Sequence, residues 1–166
     1  EEWDLPNLVH SPEFLTSRTA TLDAAMPTRN IIGSQGRQDY LMPPEGNCAR
    51  VLYELYRTRW PHIPVHGMTS DESEAVKLFT NSFSAVKVAF FNEVHCLADK
   101  LGLDWEVVRN AVLAGGTIHP LHTQVPGPDG RCGYGGACLP KDLANLAYSF
   151  WTNKVEGGAK MLLAAM

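Results

Sequence analysis

The run Gly133-Tyr134-Gly135-Gly136-Ala137-Cys138-Leu139-Pro140-Lys141-Asp142 brings a thiol, an amine and a carboxylate together behind several glycines. Glycines ahead of the cysteine let the backbone approach a ligand closely. Pro140 suits the first turn of a helix whose positive end would face the sulfur. Both features favour a reactive thiolate at Cys138, although a tight glycine turn beside a buried cysteine accounts for the same residues. A second group lies upstream. Lys77, Asn81, Val88 and Asn92 fall at about 0, 40, 20 and 60 degrees around a helix axis, at roughly 100 degrees per residue. Such a largely polar stripe suits a solvated cleft in which a partly buried lysine serves as acid, base or oxyanion partner. An ordinary exposed helix face is the other reading, and Glu93 beside Asn92 is free to pair with a nearby cation. Of the remaining cysteines, Cys48 and Cys96 sit in helix-like patterns and read as small buried thiols. Cys132 and Cys138 come after His119 and His122 with a spacing that fits none of the common zinc patterns, so no metal site is expected. A disulfide between Cys132 and Cys138 under oxidising conditions stays open.

The elements that must carry these residues differ along the chain. Residues 1–68 hold short apolar runs punctuated by Pro, Gly and Ser, whereas 69–115 read as long helices. Leu8-Val9-His10, Asn30-Ile31-Ile32-Gly33 and Ile63-Pro64-Val65-His66-Gly67 read as strands, with a helix over Ala49–Tyr56 that ends before Pro61. The order strand, strand, helix, strand suits the tail end of an α/β sheet, because a parallel pair needs a crossover. Thr69-Ser70-Asp71-Glu72 is a helix start. The apolar series Val76, Phe79, Phe83, Val86, Phe90, Val94, Leu97 and Leu101 then predicts one helix of about thirty residues. Gly102 stops it, and Asp104 opens a shorter helix through Val107, Val108 and Val112 to Gly115-Gly116. Residues 117–137 predict a long ordered loop. A helix from Pro140 should bury Leu143, Leu146, Ala147 and Phe150, and a last helix starts near Gly158. The expected fold is mainly α, in the α+β class: a small αβ remnant of a Rossmann-type sheet over 1–68, then a helical core with one long helix over 69–166.

The bulk composition narrows the function. A chain of 166 residues, 45% hydrophobic, is long enough for a real apolar core. A net charge of -4 with scattered Lys and Arg offers no field for a phosphate backbone, which argues against nucleic acid. Apolar stretches are broken well before the roughly 20 residues of a membrane span. With no secretory leader in the opening residues, the expected compartment is the reducing cytoplasm.

Three stretches in one order resemble the UDP-glucose/GDP-mannose dehydrogenase family: Ser11-Pro12-Glu13-Phe14-Leu15; Glu74-Ala75-Val76-Lys77 with Asn81 and Phe91-Asn92-Glu93; and the Gly133–Asp142 loop. Asp23, Pro27 and Arg29 fall in the matching register. The resemblance implies a homodimeric enzyme that uses NAD to oxidise the C6 alcohol of a nucleotide sugar to the carboxylate, UDP-glucose being favoured and GDP-mannose the alternative. It implies Cys138 as the nucleophile, forming a thiohemiacetal and then a thioester. Lys77 and Asn81 would hold the oxyanion or a water, Asp142 would take part in the hydrolytic proton relay, and Glu13 would be an acid/base candidate. Tyr134, Gly135, Phe14 and Leu15 become candidate sugar-nucleotide contacts, Lys141 and Glu13 candidate cofactor contacts, and the 70–101 helix the dimer seam. The chain also departs from the family pattern. A Gly-x-Gly-x-x-Gly loop after a strand is missing, so this chain alone is expected to bind NAD weakly and to be inactive, and a further nucleotide domain would follow Met166. Ser17 and Thr117 stand where the family often has Glu and Arg, and Asp129-Gly130-Arg131-Cys132 are extra. A non-catalytic helical dimerisation module that lost its cofactor domain is the competing reading.

Overall fold

Ile31 and Ile32 are β-branched residues followed by Gly33, a sequence that favours an extended and enclosed backbone. The computed structural model, which describes residues 8–35 and 48–166, places them in the middle strand of a three-stranded sheet. The strands are β1 (Val9–His10), β2 (Asn30–Ser34) and β3 (Val65–Thr69), in the order β1-β2-β3. β1 runs antiparallel to β2, pairing Val9 with Ser34. β2 and β3 are parallel, in register from Asn30↔Val65 to Ser34↔Thr69. Helix α1 (Ala20–Ala25) joins β1 to β2, and helix α2 (Cys48–Arg59) lies between the parallel strands in sequence, as a parallel pair requires.

Two details of the sheet region differ from the sequence expectation. The third strand begins at Val65 rather than Ile63: Pro64 has no N–H to give a ladder, and its carbonyl accepts the Asn30 N–H at 2.9 Å as the sheet starts. Helix α1 is the other difference. Six residues carry too little periodicity to declare a helix, and this one is fixed by the Asp23 carboxylate, which accepts from Thr16 N and Thr19 Oγ1, both at 2.8 Å.

The chain forms two compact units, residues 1–77 and 78–166. Helix α3 (Ser70–Lys100, 31 residues) opens in the first and continues as the spine of the second. Its start is a reciprocal capping box: Thr69 N donates to Glu72 Oε2 at 2.8 Å, and Glu72 N to Thr69 Oγ1 at 3.2 Å. Gly33 packs directly under this turn, where a Cβ would sit 2.5 Å from Ser73 Cβ and 3.0 Å from Ser70 Cα. Only glycine permits that approach.

In the second unit α3 ends before Gly102, whose φ is +68, and is succeeded by α4 (Trp105–Ala114), α5 (Leu139–Thr152) and α6 (Lys160–Ala164). Asp104 caps α4 by accepting the Val107 N–H at 3.1 Å. Two apolar clusters hold the unit. Ala85, Leu143, Ala147 and Leu162 are buried in one, with Leu146 and Phe150 against them, as the α5 periodicity predicts. Phe91, Ala98, Trp105 and Val125 form the other.

The faces of α3 follow from its geometry. At about 100 degrees per residue, Phe91 and Ala98 point nearly the same way, inward, while Cys96 lies about 140 degrees from Phe91. Cys96 is therefore exposed rather than the buried thiol its helical pattern suggests. Phe79, Phe83, Phe90, Leu97 and Leu101 make a coherent exposed stripe roughly 100 degrees from Phe91. Phe91, next to Phe90, lies outside that stripe and belongs to the core. Val107 and Val112 of α4 are also exposed, its buried residue being Trp105.

Candidate active site

In the first unit, the stretch after β1 is tied down residue by residue. Ser11 Oγ donates to Ile31 O at 2.9 Å and lies 2.8 Å from the Tyr56 hydroxyl. Glu13 then folds back on its own loop, Oε2 accepting the Leu15 N–H at 2.6 Å. Its other oxygen receives Lys77 Nζ at 2.8 Å, and the same ammonium donates to the Glu13 carbonyl. Two of the three donors of Lys77 are thus spent on one residue. The Lys77 hydrogen bond, then the Leu15 N–H, hold the Glu13 carboxyl below the usual glutamate range. The Phe14 ring is contacted by two cations, Arg29 Cζ at 4.1 Å from its centroid and Lys77 Nζ at 5.4 Å. Arg29 Nε and Asn30 Nδ2 are buried without a partner among the described residues.

The second unit positions the thiol. Cys138 is exposed at the N-cap of α5, its carbonyl accepting the first helical bond from Asp142 N at 2.9 Å. Pro140 stands in the opening turn. The N–H groups of that turn favour negative charge developing beside the sulfur. Asp142 is 6% exposed and is pinned from several sides. Asn81 Nδ2 donates to Oδ2 at 2.6 Å, Lys141 pairs with Oδ1, and Ser82 Oγ donates to the backbone carbonyl at 3.2 Å. The hydrogen bond to Asp142 raises the Lys141 amine above the usual lysine range. A carboxylate buried this far needs such donors, since an unpaired one would be costly.

The loop before Cys138 is held by α3. Asn92 Oδ1 accepts the Gly133 N–H at 2.8 Å while Asn92 Nδ2 donates to Val88 O. Gly133 and Gly136 have φ of +82 and +76, which glycine adopts freely. Tyr134 turns inward, its hydroxyl donating to Ala165 O at 2.7 Å, whereas Gly135 is exposed. The extra residues form a turn closed by Gly127 N to Arg131 O at 2.7 Å, and Cys132 emerges from it exposed. Further upstream, Lys87 donates to the carbonyls of His119 and Leu121, and Arg109 donates to Thr123 O and Oγ1. Burial first, then Lys87 and His119, press His122 below the usual histidine range. Among the described residues no cluster of three or more His, Cys, Asp or Glu could hold a metal ion.

Glu13, Phe14, Leu15 and Lys77 therefore form one group, and Asn81, Cys138, Lys141 and Asp142 another. Lys77 and Asn81 stand one turn apart on α3. Ser73, Ser82, Lys87 and Arg109 belong to no motif that the sequence displays. Ser73 stands among Asp71, Glu72 and Glu74, and Ser82 between Asn81 and Phe83, so neither local sequence marks the burial that the fold imposes on them. Nothing in the local sequence distinguishes Lys87 and Arg109 from surface cations.

A model of the UDP-glucose/GDP-mannose dehydrogenase family, central domain, matches residues 71–166. A UDP-glucose 6-dehydrogenase of Campylobacter jejuni is 33% identical over 151 residues, covering 91% of this chain and 35% of that protein. Among solved structures, a UDP-glucose dehydrogenase from the archaeon Pyrobaculum islandicum superposes with a TM-score of 0.75 at 30% identity, over 95% of this chain and 33% of the other. A GDP-mannose dehydrogenase from Pseudomonas aeruginosa, solved as a ternary complex, gives 0.56 at 29% identity over the same shares. The chain spans about a third of the length of these relatives.

Proposed function

The chain belongs to the UDP-glucose/GDP-mannose dehydrogenase family, and from that premise we propose that it is the catalytic core section of a nucleotide-sugar 6-dehydrogenase, with UDP-glucose as the favoured substrate and Cys138 as its nucleophile. The observation that carries this reading is the exposed Cys138 at the head of α5, four residues before a buried Asp142 bonded to Asn81 at 2.6 Å. The Cys138 sulfur adds to the C6 aldehyde carbon. The carbonyl oxygen becomes an oxyanion, for which Lys77 and Asn81 are the proposed donors. At the thioester stage water adds to the acyl carbon and the C–S bond breaks, giving the carboxylate and returning the thiolate. Asp142, held in one orientation by Asn81 and Lys141, is the proposed acceptor of the water proton. Glu13 serves Lys77 as charge partner and as a local acid/base group. Phe14, Leu15, Tyr134 and Gly135 are proposed to line the sugar-nucleotide path, Tyr134 by fixing the loop from inside.

NAD would accept hydride in the two oxidations. The start of α3, the helix that directly follows a parallel strand, does not fit its pyrophosphate: the first turn is capped by its own Thr69 and Glu72 and carries Asp71 beside Glu72, which repels a phosphate anion. No cofactor step is therefore routed through that turn, and Lys141 and Glu13 stay the proposed cofactor contacts of this section of the enzyme. The exposed stripe Phe79, Phe83, Phe90, Leu97 and Leu101 supports a second copy as partner, in the enzymatic and the purely structural reading alike. No described helix is long and apolar enough to cross a membrane, and the proposed compartment is the cytoplasm.

The two readings part on adduct formation. UDP-glucose 6-aldehyde labelled with 13C at C6 should give a thiohemiacetal carbon resonance with this chain and none with Cys138→Ala. The absence of that resonance in the unaltered chain at saturating aldehyde would leave the structural module as the better reading.

A further inference from the structure

A second tie runs beside the Glu13–Lys77 pair. His10 Nδ1 lies 2.8 Å from Ser73 Oγ. Ser73 is fully buried, and Gly33 of β2 packs so closely on it that the side chain has no room to shift. Ser73 precedes Lys77 by one helical turn, so the two side chains leave the same face of α3. His10 precedes Glu13 by three residues, at the end of β1. Ser11 between them is held by Ile31 O and the Tyr56 hydroxyl. The same two segments are thus joined twice, one turn apart: by a hydrogen bond to a buried hydroxyl and by an exposed ion pair. An exposed ion pair orders its partners weakly, because screening and side-chain entropy offset the attraction. A buried hydroxyl is costly to leave without a partner and fixes position more firmly.

We propose that His10 and Ser73 form a positioning clamp that sets the Glu13 loop against Lys77, so that His10 governs the ion pair without touching substrate. The inference rests on the roles given above to Glu13 and Lys77 for its functional meaning, but its geometry stands apart from them. Phe14 gains from the same clamp, since its ring meets both Lys77 and Arg29.

The test is an NMR titration of the Glu13 side-chain carboxyl carbon in the 166-residue chain. Ser73→Ala and His10→Leu should each shift the Glu13 midpoint upward, most of the way to its value in Lys77→Met. His10→Asn, whose amide reproduces the position of Nδ1, should restore the unaltered midpoint. Amide resonances of Ile31 and Ile32 report whether the sheet is intact in each variant. If Ser73→Ala and His10→Leu keep the unaltered midpoint while Lys77→Met raises it, the clamp is overturned and the ion pair stands. If Lys77→Met also leaves it unmoved, the ion pair falls and the clamp with it. A failed Cys138 adduct alongside an intact clamp response would count against the catalytic reading alone.

Discussion

Cys138 is set apart from Cys96 and Cys132, which are exposed too, by its place at the head of α5, and from Cys48, which opens α2, by its greater exposure. Cys138 is the one cysteine that is both exposed and at the head of a helix, so limited alkylation near neutral pH, read by peptide mass analysis, should label it first. Cys132 labelling ahead of it would remove the main support for a preformed nucleophile. Glu13 gives a pH prediction. Its carboxyl is held down chiefly by the Lys77 hydrogen bond, so the folded state binds this proton less readily than the unfolded chain. The resulting stability is fully present above the ordinary glutamate value, and it is lost as pH falls through the lowered folded value. Urea midpoints measured against pH should show a smaller acid loss in Glu13→Gln than in the unaltered chain. An identical acid limb in both would refute the assignment.

At the scale of elements, α3 and α5 are stabilised by different means. α3 begins in a capping box, and Thr69→Ala removes one of its two reciprocal bonds, for an expected loss of about 1 kcal/mol. α5 is held by burial. Leu143 is fully enclosed beside Ala85 and Leu162, and Leu143→Ala should cost roughly 2–5 kcal/mol through lost contacts and a residual cavity. Chemical denaturation of the two variants should rank them in that order, and a Thr69→Ala loss as large as that of Leu143→Ala would contradict it. The Leu143 effect should also reach the site, because the same first turns of α5 carry Lys141 and Asp142.

At the scale of the molecule, the α3 stripe is the surface that the proposed second copy would cover. Phe79, Phe83, Phe90 and Leu97 lie on one line of the helix, continued by Leu101 in the turn that ends it, and all face solvent in a single chain, a larger exposed apolar run than isolated surface residues explain. The groove between α3 and α4, lined by Val94, Leu97, Leu101, Trp105 and Val108 among others, continues that surface. Light scattering of the proposed dimer should give twice the chain mass, and Phe83→Asp should return the monomer. Phe91→Asp should instead unfold the second unit, because Phe91 is core. A monomer at high micromolar concentration in the unaltered chain would rule out the seam.

Periodicity over many residues was enough to read α3, α4 and α5 and the buried face of α5 from the sequence, because a helix repeats every 3.6 residues and a long run averages out local exceptions. The family was equally legible, since Ser11–Leu15, Lys77 with Asn81, and Gly133–Asp142 are local runs of sequence that follow one another in the order the resemblance requires. Short elements were not: α1 and the start of β3 depend on one carboxylate and one proline carbonyl. Which apolar residues of α3 turn inward could not be read either. Phe90 and Phe91 are adjacent and chemically identical, and about 100 degrees of helical rotation puts one in water and the other against Trp105. The partners of the site residues were decided by tertiary structure alone. Asn81 meets Asp142 across 61 positions, and His10 meets Ser73 across 63. No local pattern encodes such contacts, because they depend on where each helix docks, and the docking is set by the whole apolar core.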